Sequence, residues 1–170
     1  MSKIQDKSRV KVRKKVESTD IFSVRIAEIK KTTTDTKKIE KDLRDAYFNE
    51  AMRYIDNAKE TLKKAKMDGQ FYLDAKYIKT ACGTAYSGVL IAMDGYFYSR
   101  GLEIKPKETK DVDFYRYHAS KFDKKLLNLF NSAYEILHLW GYYDGITDSV
   151  IVKRGFEHAK KITYLLKPTE

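Results

Sequence analysis

The chain runs to 170 residues, with 42% apolar and 34% charged side chains, two prolines, one cysteine and a formal net charge of +10. That composition fits one ordinary core and excludes wholesale disorder, an internal disulfide and a cysteine metal cluster. No apolar run approaches the roughly eighteen residues of a membrane span, and the charged first fifteen residues lack the apolar stretch of a secretory signal, so a cytoplasmic protein is expected.

The charge is spread unevenly. Residues 1–41 carry thirteen Lys/Arg against six Asp/Glu, whereas residues 42–170 carry twenty-one against eighteen. The basicity therefore belongs to an N-terminal extension, residues 1–37, read as flexible or docked on a partner. Its stretch around Arg9, Lys11, Arg13, Lys14 and Lys15 can neutralise phosphates without a fold, which implies weak, nonspecific nucleic-acid contact. Interleaved aromatics and an RNA-reading motif are absent from it. Ile21-Phe22-Ser23-Val24-Arg25-Ile26 alternates over a few residues and is compatible with a short strand, a helical turn or a docking peptide; Thr32-Thr33-Thr34-Asp35-Thr36 reads as a linker.

Residues 38–168 carry helical periods. Over 38–66, Leu43, Tyr47, Ala51, Ile55, Ala58, Leu62 and Ala65 recur at steps of four and three, an amphipathic helix that Gly69 is expected to end. Over 71–100 there are two stripes. The bulky one is Ile78, Cys82, Tyr86, Val89, Met93 and Tyr96; the small one is Ala81, Ala85, Gly88, Ala92 and Gly95. A helix apolar on two faces is buried among neighbours, and its small face lets another backbone approach, from this chain or from a second copy. Cys82 falls in the bulky stripe and reads as core. After a connector with Pro106, the pattern resumes from Phe114 to Trp140, with Ser120 and Asp123 as a capping pair dividing it. Gly141-Tyr142-Tyr143-Asp144-Gly145 breaks the pattern, Thr147 or Asp148 offers an N-cap, and Val152, Phe156, Ala159, Ile162 and Leu166 mark a last helix that Lys167-Pro168 ends. The expected fold is all-α, an up-and-down antiparallel bundle of four to five helices.

Three patterns, running from about Asp45 to Leu166, resemble the HEPN family of small bacterial and archaeal helical bundles. They are the turn "KKAKMDGQFYLDA", the small-residue face "YIKTACGTAYSGVLIAMDGYF", and "AYEILHLWGYYDG" leading through a short loop into "GFEHAKKITYLL". The resemblance implies a HEPN-like bundle. Catalytic members are ribonucleases with an Arg and a His separated by four to six residues. Here the places upstream of His138 hold Asn131, Ser132 and Ala133, and Arg154 precedes His158 with three residues between. The departure implies a noncatalytic interaction module, working as a homodimer or with a separate protein encoded nearby.

Two residue sets remain as candidate sites. Arg154 and His158 lie four apart on a predicted helix, so they share a face and can meet one phosphate, Arg holding the anion and His acting as acid or base; this is the ribonuclease alternative. The competing reading is two solvated polar residues. Asn131, His138, Trp140, Tyr142 and Tyr143 form a polar and aromatic group at a helix end, which lines a small-ligand or nucleotide pocket or simply packs on the bundle. His118, His138 and His158 make no His-x-x-x-His pair, and there is no Gly-rich phosphate loop, so neither metal nor cofactor is expected.

Overall fold

In a computed structural model, residues 21–32, 35–102 and 110–167 are described. The basic stretch of residues 9–15, the rest of residues 1–20, Thr33 and Thr34, the Pro106 connector and Pro168 lie outside them. The described residues are predominantly helical, with α1 (Ile21–Thr32), α2 (Thr36–Leu62), α3 (Ala75–Ser99), α4 (Val112–Phe122), α5 (Lys124–Ala133) and α6 (Ser149–Leu165). A π-helix, Tyr134–Asp144, continues α5, and strands β1 (Met67–Asp68) and β2 (Phe71–Tyr72) form an antiparallel hairpin. No helix among these residues is long and apolar enough to cross a membrane.

Helices α2 to α6 each begin behind an aspartate. Asp35, Asp74, Asp111, Asp123 and Asp148 accept backbone N–H groups of the first turn, at 2.7 to 3.4 Å. Each satisfies orphan donors and sets a negative charge at the positive end of the helix dipole, stabilising by about 1 kcal/mol. The division between α4 and α5 thus rests on Asp123 alone; the Ser120 hydroxyl donates to the Tyr117 carbonyl instead of joining a capping pair.

One open reading is decided and two other expectations are corrected. The alternating segment at Ile21 is the start of a twelve-residue helix, α1, whose Phe22 ring meets the Tyr47 ring of α2 edge-on at 5.2 Å. Helix α2 ends at Leu62 rather than Lys66, and Gly69, at φ 57°, turns the hairpin instead of capping the helix. Gly141 does not break the chain's helical course: the π-helix runs on to Asp144, and Gly145 at φ 74° ends it.

The small stripe of α3 meets α2 of the same chain. A Cβ on Gly88 would lie 2.9 Å from the Ala51 carbonyl oxygen, and one on Gly95 would lie 2.5 Å from Tyr47 Cβ. The glycines let the two backbones approach, and that contact offsets their cost of about 1 kcal/mol each within a helix. Both stripes of α3 are buried but for Tyr96, which is half-buried, so α3 runs through the core with Ile78, Val89, Met93 and Phe97 fully enclosed. The hairpin is tied to the start of α6: Tyr72 N–H donates to the Thr147 carbonyl and Ser149 N–H to the Gln70 carbonyl, both at 2.9 Å.

Candidate functional site

A third face of α3, the one carrying Thr80, Gly83, Thr84 and Ser87, is only partly covered by the described residues. It forms the floor of a groove of about 520 Å³ walled by Tyr54 of α2 on one side and by His138 and Tyr142 of the π-helix on the other. The hydroxyls of Thr80, Thr84 and Ser87 donate to the carbonyls four residues back, at 2.9, 2.8 and 3.0 Å. Their donors are thereby used within the helix. The floor is narrow in side chain and can be covered by another surface without stranding a hydroxyl proton.

The π-helix wall is held by close contacts with α3. A Cβ on Gly141 would fall 2.5 Å from Cys82 Sγ, and one on Gly83 would fall 2.8 Å from the Tyr142 ring. The Lys79 ammonium donates to the Tyr143 carbonyl at 2.7 Å, satisfying an acceptor at the π-helix end. Cys82 is fully buried in this contact, and burial pushes its thiol up to about 12, so it stays protonated and packs as an apolar group.

His138 sits inside a box of rings. Tyr86 lies at 4.7 Å between ring centroids, Tyr143 at 5.0 Å edge-on, Tyr134 at 5.3 Å, and Tyr142 at 5.8 Å and nearly parallel. Burial lowers the His138 pKa and keeps the imidazole neutral; it also raises that of the Tyr86 hydroxyl. Behind the box, Arg116 lays its guanidinium over Tyr134, 5.0 Å from the centroid, and donates from Nε to Asn131 Oδ1 at 2.9 Å.

Residues 45–167 match the family described as Domain of unknown function (DUF5618). The chain belongs to the DUF5618 family. A solved structure described as a "protein of unknown function from Dyadobacter fermentans" is 45% identical, with a TM-score of 0.67, over 72% of this chain and 95% of that one. No curated protein matches. The DUF5618 segment starts within α2 and holds every residue of the groove, while α1 precedes it.

Of the residues singled out from sequence, the structure brings together His138, Tyr142 and Tyr143, with Asn131 reached through Arg116 and Tyr134. Trp140 lies elsewhere, lining a separate hollow with Asp144, Ile146 and Ile151. Arg154 is exposed and His158 half-buried. His158 Nδ1 is buried without a hydrogen-bond partner, and burial, then Lys161 and Arg154, lower the pKa of the ring. The groove on that side of α6 is lined by their neighbours Lys153, Phe156 and Glu157. Glu135 stands three residues before His138, a spacing used in helical metal sites, but among the described residues no group of three or more His, Cys, Asp and Glu is placed to hold a metal ion.

Sequence reasoning missed Tyr54, Tyr86, Tyr134 and Arg116. Tyr86 was read as core only, and Tyr54 and Arg116 are far from the π-helix in sequence. One signal was legible: Thr80, Thr84 and Ser87 recur at steps of four and three, a polar face on an otherwise apolar helix.

Proposed function

We propose that this DUF5618 chain is a HEPN-like antiparallel bundle acting as a noncatalytic interaction module, and that two copies associate through the α3 groove. The observation that carries the reading is the exposure of the π-helix beside it. Tyr142 and Tyr143 are 45 and 60% exposed there, while Trp140, exposed on the same π-helix, faces the separate hollow. Large aromatics held rigidly at a surface are the usual anchors of protein interfaces. A ridge beside a groove on one surface is self-complementary: a two-fold axis lets each copy's aromatics enter the other's groove. The bundle, with twenty-one basic against eighteen acidic residues from position 42 onward, is close to neutral and does not oppose this by charge. In favour of the bundle arrangement, α2 and α3 pack along the small stripe and are joined by one tight hairpin, as antiparallel neighbours are.

The test is to fill the groove and to charge the ridge separately. Thr84→Trp and Tyr143→Asp are each expected to convert a dimer to a monomer in light scattering, with the far-ultraviolet helical signal retained. A dimer that survives both substitutions would remove the groove as its interface.

A further inference from the structure

On the face formed by the end of α2, the hairpin and α6 there is a second groove, larger and of different chemistry. Its volume is about 680 Å³, within the range of small-molecule sites. The floor is apolar, made by Leu62, Ala65, Met67, Tyr72 and Phe156. Four lysines, Lys59, Lys63, Lys66 and Lys153, stand round it against one carboxylate, Glu157. Lys59 and Lys63 pair with Asp56 and Glu60 on the helix surface, at 3.1 and 2.6 Å. Lys66 and Lys153 have no ion-pair partner among the described residues. The end of α2 does not occupy these cations, because the carbonyls of Lys59, Thr61 and Leu62 accept from the N–H groups of residues 63 to 65.

We propose that this groove binds a single-chain anionic amphiphile, a free carboxylate whose alkyl chain lies on the Leu62–Phe156 floor and whose head sits between Lys66 and Lys153. The apolar floor asks for a chain and the unbalanced ammonium groups ask for an anion. Lysines act here as point charges around one head group and not as a planar fork for a phosphodiester. The concave shape suits one chain from solution and not a flat bilayer. This site is on other residues than the α3 groove, and the inference does not depend on self-association.

Calorimetric titration of the full chain with octanoate, decanoate and decyltrimethylammonium tests it. Decanoate is expected to bind about fifteenfold more tightly than octanoate, since each of its two additional buried methylenes is worth about fourfold. Decyltrimethylammonium, of equal chain length and opposite charge, is expected to bind at least about tenfold more weakly than decanoate. Lys66→Gln combined with Lys153→Gln, both exposed positions, should weaken decanoate by about three- to tenfold at an unchanged melting temperature. Equal binding of the cation and the anion, decanoate affinity untouched by the double substitution, or sedimentation with phosphatidylglycerol vesicles without binding of free decanoate would each overturn the proposal.

Discussion

The His138 imidazole shows what the ring box does to a single residue. Its pKa lies below the ordinary 6.5 because burial disfavours the charged form, and for His158 burial is joined by the charges of Lys161 and Arg154. The sign for stability follows. An unfolded histidine takes up a proton near its ordinary pKa, whereas the folded one refuses it until a lower pH, so protonation favours unfolding. Stability is therefore full above 6.5 and declines as pH falls below it toward the folded pKa values. Thermal melts from about pH 8 to about pH 5 should show this acid-side loss, and His138→Gln should make it shallower. A His138→Gln protein with an acid limb as steep as the parent's would mean that this ring does not titrate with folding. Among residues read from the sequence, His138 and Tyr142 were legible as partners because they are one helical turn apart. Arg116 was not, because only the turn at Asp123 brings α4 back beside Asn131.

The π-helix is the unusual element, and it explains why the sequence around Gly141 reads as a break. Hydrogen bonds five residues apart widen each turn and shift the phase of the side chains, so a search at 3.6 residues loses the pattern there. Such segments recur at functional sites. This one turns Tyr142 and Tyr143 outward while Gly141 packs onto α3. The contact is tested by exchanging volume across it. Gly141→Ala alone should cost about 1 to 3 kcal/mol through overpacking against Cys82, and Cys82→Gly alone about 1 kcal/mol or more. Combined, they should cost less than their sum by at least about 0.5 kcal/mol in chemical denaturation. Strict additivity would place Gly141 away from Cys82. Elsewhere, short elements were lost for the opposite reason. Residues 63–65 continue the period of α2, so its end was placed too late, β2 was absorbed into the segment of α3, and α1 was left undecided because its contact with Tyr47 is tertiary.

At the scale of the whole molecule, α2, α3 and α6 were legible because their apolar periods are long, and the same periods made the fold class legible. Which face of α3 remains open was not legible. The small stripe of Ala85, Gly88 and Ala92 was open to a neighbour from this chain or from a second copy; α2 fills it, and the face that the described residues leave partly open is the polar one at Thr80, Thr84 and Ser87. A sequence gives the faces of a helix but not the order in which neighbours occupy them. The self-association reading depends on that assignment, and the mass of the unmodified chain tests it most directly. Sedimentation equilibrium at micromolar concentration should return twice the chain mass of 19.9 kDa, with dissociation on dilution. A mass of one chain, unchanged across the concentration range, would contradict it.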